Sequence, residues 1–110
     1  MGWKATERES ARRLGGERVP VSGRQRGSAP DHTTEGDLWA VEVKMRSKFP
    51  GWLLDAMDQA VASKEKAAAG RWPMVALHLK GARYDDDLMI LRRKDLEEIH
   101  RLLLGHEEMT

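Results

Sequence analysis

Leu38-Trp39-Ala40-Val41-Glu42-Val43-Lys44-Met45-Arg46 is the stretch on which the fold turns. Trp39, Val41, Val43 and Met45 alternate with Ala40, Glu42, Lys44 and Arg46, the period of two that marks a half-buried strand. In such a strand Glu42 and Lys44 project from one face while Val41 and Val43 pack behind them. Taken alone, that glutamate and lysine are a surface ion pair worth little.

The residues just upstream change this reading. Glu35-Gly36-Asp37 has turn chemistry, and Asp31 to Thr34 before it reads as a strand, so the two strands form a hairpin. Asp31 opens that hairpin, and a plausible register brings its carboxylate beside Glu42. Two converging carboxylates repel and cost stability unless a cation sits between them. Mg²⁺ suits such a place, because it takes one or two carboxylates and fills its octahedron with waters and substrate phosphates. The Val43 carbonyl can add a ligand. Lys44 can position an attacking water and meet the charge that develops on a phosphate.

Further outward, Ser22 to Pro30 (SGRQRGSAP) is a basic loop with glycines near both ends, and Glu17 to Val21 is a short strand that Pro20 confines to an edge or an end. Trp3 to Leu14 reads as a helix, with Trp3, Ser10, Ala11 and Leu14 on one face and Gly15-Gly16 as its stop. Glu7 lies inside that face, where a carboxylate is costly unless something cationic meets it. Downstream, Phe49 to Ala69 is the longest helix, with Trp52, Leu53, Ala56, Met57, Ala60, Val61 and Ala68 as its core face. Pro73 to Lys80 and Leu88 to Leu91 are strands joined by a turn from Gly81 to Asp87, and a last helix runs from about Lys94 to Leu104. The order is α-β-β-β-α-β-β-α, an α/β layer arrangement in one domain spanning 1–110.

With 110 residues and no cysteine, the chain excludes disulfides, thiolate zinc sites and cysteine nucleophiles. Its N-terminal stretch is basic and polar with no apolar run behind it, and no segment approaches the roughly 20 apolar residues that span a bilayer. A soluble, intracellular (cytoplasmic) protein with no membrane contact is expected. The net charge of +1 hides an uneven distribution. Arg8, Arg12, Arg13, Arg18, Arg24 and Arg26 crowd the first quarter, followed by Lys44, Arg46 and Lys48, while Glu97, Glu98, Glu107 and Glu108 mark the other end. Such a basic half is a local field that attracts phosphate. No P-loop glycine motif is present, so no nucleotide cofactor is expected. Asp85-Asp86-Asp87 reads as a solvated turn, His32 as a partly exposed strand histidine, and His78 as structural or surface.

Pro30-Asp31 followed by Glu42-Val43-Lys44 resembles the signature of the PD-(D/E)xK nuclease superfamily. From about Ala5 to Ala60 the chain resembles more narrowly the Holliday junction resolvases of archaeal and phage type. Glu7-Arg8 matches the Glu-Arg pair of that family's first helix, Ser22-Gly23 its serine-glycine loop, and Arg46 and Gln59-Ala60 the residues beyond the glutamate-x-lysine strand. The resemblance implies a restriction-endonuclease-like core, a central mixed sheet of about five strands flanked by helices. It also implies a Mg²⁺-dependent endonuclease, with Mn²⁺ able to substitute, that acts as a homodimer on four-way DNA junctions. Asp31, Glu42 and Val43 would hold the metal. Glu7, Asp31, Glu42, Lys44 and Gln59 would form the catalytic set, with Glu7 compensated by the metal or by Lys44. Arg8, Ser22, Arg24, Arg26, Arg46 and Lys48 would contact DNA. A nicking or flap-directed nuclease with the same core, and a DNA-binding module with a vestigial site, are the alternatives.

Overall fold

The computed structural model describes residues 2–20, 29–66 and 72–106. The chain forms two compact units, Met1–Ser47 and Lys48–Thr110.

The first unit opens with helix α1, Trp3–Arg13. Its inward face carries Glu7, Ser10 and Ala11, followed by Leu14 just past the last turn. The helix closes with two backbone bonds, from Gly16 N–H to the Ala11 carbonyl and from Gly15 N–H to the Arg12 carbonyl, at 2.8 and 3.1 Å. This Schellman arrangement needs a left-handed residue, which Gly15 supplies at φ 73°. Arg12 and Arg13 in the last turn complement the negative end of the helix.

Three extended segments follow, joined by isolated antiparallel bridges between Arg18 and His32 and between His32 and Val41. Val19 N–H donates to the Asp31 carbonyl and Thr33 N–H to the Glu17 carbonyl, both at 2.9 Å. A single 3-10 turn, Glu35–Asp37, sits where the turn was expected.

The second unit contains helix α2 (Gly51–Lys66), strands β1 (Met74–Leu77) and β2 (Leu88–Leu91), and helix α3 (Arg93–Leu103). The strands pair antiparallel with Met74 opposite Leu91 and Leu77 opposite Leu88, and α2 packs on β1. Leu53, Ala56, Met57, Ala60 and Val61 form the half-buried face of α2. Trp52, expected on that face, stands one position off it and is 59% exposed.

The expected central mixed sheet of about five strands is overturned. The described residues hold three α-helices and one two-stranded antiparallel sheet. The segments around Arg18, His32 and Val41 run as strands were expected to run, but they pair only through single bridges. The pairing stops at Asp31, because its N–H, the next donor in the Arg18–His32 ladder, goes to the Val41 carbonyl and not to Val19. Beyond Val41, the N–H of Val43 goes to the Asp31 side chain instead of a backbone carbonyl.

Close packing also shapes the turn after α1. A Cβ at Gly16 would lie 1.9 Å from the Thr33 carbonyl oxygen, so α1 and the His32 segment touch there through bare backbone. Gly16→Ala should lower the stability of the chain by about 2 kcal/mol in urea unfolding. An unchanged midpoint would show that this close approach does not exist in solution.

Candidate functional site

His32 is the anchor of the first unit. It is 0% exposed, in contrast to the partly exposed histidine read from the sequence. Its Nδ1 lies 2.7 Å from the Thr33 carbonyl oxygen and its Nε2 2.8 Å from Ser10 Oγ. A carbonyl only accepts, so Nδ1 carries a proton, and Nε2 shares a hydrogen bond with the serine hydroxyl. Both ring nitrogens are satisfied inside the protein, and α1 is tied to the middle extended segment.

Glu7 is buried on the same helix, 4% exposed. Arg18 meets it, Nε donating to Glu7 Oε1 at 2.6 Å. Arg18 also lies over the Trp3 ring, 5.4 Å from its centroid. The cation that answers this carboxylate is therefore Arg18, where the resemblance pointed to a metal or to Lys44. In the sequence Arg18 stands only as one of the clustered arginines and not as the partner of Glu7, although an arginine in the strand next to an inward glutamate is the signal that could have found the pair.

The residue after Pro30 is held as tightly. Asp31 is buried, and its N–H donates to the Val41 carbonyl at 2.9 Å. Its Oδ2 accepts from Val43 N–H at 2.7 Å. These two bonds fasten Asp31 to both sides of Glu42. The His32–Val41 bridge agrees with them, since Asp31 precedes one partner and Glu42 follows the other. Glu42 and Lys44 are both exposed and form a 3.4 Å ion pair. Exposed pairs of this kind contribute at most about 1 kcal/mol to stability.

Asp31, Glu42, Val43 and Lys44 thus lie together in the first unit. Among the described residues no group of three or more histidine, aspartate or glutamate side chains is placed to hold a metal ion. Two carboxylates and a carbonyl still fit the demand of Mg²⁺, which leaves most of its positions to water and phosphate. The bond from Val43 orients the Asp31 carboxylate.

The other expected site residues are scattered. Arg8 is exposed on α1, and Arg46 is exposed with its guanidinium on the Met45 carbonyl at 3.1 Å. Lys48 and Gln59 are exposed and belong to the second unit. Ser22, Arg24 and Arg26 lie outside the described residues. No helix among the described residues is long and apolar enough to cross a membrane. No protein-family model, curated protein or solved structure matches the chain.

Removing one partner of a buried ion pair strands the other charge, which costs about 3 kcal/mol or more. Arg18→Ala should therefore destabilise the chain by about that amount in urea unfolding. The double variant Glu7→Gln/Arg18→Ala should regain a good part of it. Equal losses in the single and double variants would show that Arg18 acts through its contact with Trp3 and not through Glu7.

Proposed function

We propose that the protein is a Mg²⁺-dependent DNA endonuclease whose centre is Asp31, Glu42, Val43 and Lys44. The observation that carries this reading is the bond from Val43 N–H to the Asp31 carboxylate, which fastens one acidic residue to the segment that bears the other. The reading rests on this cluster and not on a nuclease-type sheet. Asp31 and Glu42 would hold a divalent cation, which would polarise a phosphoryl oxygen and make a bound water a better nucleophile.

The chain's own residues do the rest. Asp31, fixed by Val43, presents its carboxylate in one orientation. Glu42 turns outward, where phosphate arrives. Lys44 holds a positive charge beside Glu42, 3.4 Å away, ready to meet the charge growing on the phosphate oxygens. Arg46 and Arg8 would add phosphate contacts, together with Ser22, Arg24 and Arg26. Glu7 supports the centre by docking α1 through Arg18.

The finer proposal is that a homodimer resolves four-way junctions. It follows from the resemblance of Glu7-Arg8, Ser22-Gly23 and Gln59-Ala60 to the resolvases and from the two-fold symmetry such a substrate asks for. A DNA-binding module with a vestigial site is the second reading, favoured by the lack of a third acidic ligand among the described residues.

A labelled four-way junction in Mg²⁺ tests both levels. The wild-type chain should cut it at two symmetry-related positions. Asp31→Asn and Glu42→Gln should each slow cleavage roughly a hundredfold or more while junction binding without metal persists. Cleavage by either variant at the wild-type rate would remove the assignment. A single unpaired nick would contradict junction resolution and leave the nuclease standing.

A further inference from the structure

Ser10 lies on the inward face of α1, 3% exposed, and nothing in the proposed nuclease chemistry uses it. Its Oγ is 2.8 Å from Nε2 of His32, a ring that solvent does not reach. Nδ1 of that ring goes to the Thr33 carbonyl, on the histidine's own stretch of chain. The serine is therefore what ties the ring to a different element. Without its hydroxyl, Nε2 would sit in a dry interior with its hydrogen bond lost.

The backbone behind the ring leads directly to the candidate centre. Asp31 shares a peptide bond with His32, and both residues are buried. His32 sends its ring to α1, whereas Asp31 sends its carboxylate to the Val43 N–H at 2.7 Å. An isolated bridge, unlike a full ladder, fixes one residue pair at a time, and His32 is held by two of them. The tilt of the peptide between Asp31 and His32 thus depends on what their side chains hold. Glu7, three residues before Ser10, adds a second tie, since its partner Arg18 is bridged to His32. Two buried polar contacts on one face of α1 converge on the residue next to Asp31.

We propose that Ser10 is a positioning residue of the metal centre, a reading that rests on the assignment of Asp31 and Glu42 as metal ligands. The hydroxyl holds the His32 ring, the ring holds the peptide before it, and that peptide delivers the Asp31 carboxylate to Val43. Polar groups behind a metal ligand orient it, and their loss weakens metal binding or activity roughly ten- to a hundredfold. Ser10 acts through an intervening residue, which puts its effect at the lower end of that range. It touches neither the metal nor DNA, so its loss leaves junction affinity as it was.

The test compares the full ¹⁵N-labelled chain as wild type, Ser10→Ala, Ser10→Cys and Ala11→Gly, each checked for its fold by far-ultraviolet circular dichroism. Cysteine is nearly isosteric with serine and a poor hydrogen-bond partner, so it removes the bond and keeps the packing. Ala11→Gly loosens the same turn of α1 and removes no side-chain hydrogen bond. Without metal, the Val43 amide proton should move upfield in both Ser10 variants and stay in place in Ala11→Gly. Mn²⁺ binding, read from broadening of the Asp31 and Glu42 amides, should weaken roughly tenfold in both Ser10 variants and keep its wild-type value in Ala11→Gly. Cleavage of the junction should lose kcat with KM unchanged. Ser10 variants with the wild-type Val43 signal and Mn²⁺ affinity would overturn the proposal. Loss of the fold in both of them, or an Ala11→Gly variant that matches their losses, would overturn it as well, because either shows a purely structural role. A wild-type chain that takes no Mn²⁺ at Asp31 and Glu42 sinks the metal reading and this one with it. Wild-type binding that survives loss of the Ser10 hydroxyl sinks this one alone.

Discussion

A histidine ring cut off from solvent has to find partners for both nitrogens within the protein, and His32 finds them on two different elements. Ser10 brings α1 to one side of the ring. The bridges to Arg18 and Val41 hold the neighbouring extended segments on either flank. The first unit has little else to organise it, since Ala11 and Leu14 are its only fully buried apolar residues among those described. Its interior is instead polar: Glu7 with Arg18, Ser10 with His32, Asp31 with Val43. Interiors of this kind specify geometry well, because each unmet group would cost about 1–3 kcal/mol.

The position of the candidate centre follows from that geometry. His32 is locked, so Asp31 before it is locked, and its carboxylate falls on the backbone of Val43. Glu42 and Lys44, on either side of Val43, keep their side chains in solvent. A buried acid backed by a polar interior and an exposed acid facing water form an asymmetric pair. That asymmetry suits an ion that must be held by the protein and still exchange ligands with a phosphate.

Local chemistry was legible in the sequence wherever it depended on neighbours along the chain. The glycine stop after α1, the turn at Glu35–Asp37, the extent of Leu88–Leu91 and the existence of all three helices came from spacing and from residues with special backbone needs. What failed was long-range pairing. Alternation places Trp39, Val41 and Val43 on the half-buried side, although Met45 beyond them is 46% exposed, and it does not say that each backbone group has a partner across a ladder. The Asp31 N–H turns to the Val41 carbonyl and leaves Val19 without its return bond, and that choice appears only when the register is known. Trp52 illustrates a second limit. A helical stripe read one position too wide places an exposed indole in the core. The environment of Glu7 was half legible: its need for a cation was plain, and the identity of that cation, Arg18, required the fold.

The central claim is that Asp31 and Glu42 share a divalent cation, and it can be read without DNA. Mn²⁺ added substoichiometrically to the ¹⁵N-labelled chain should selectively broaden the amide signals of Asp31, Glu42, Val43 and Lys44, and Asp31→Asn should abolish the effect. Broadening confined to Asp85, Asp86 and Asp87, or no selective broadening at all, would contradict it.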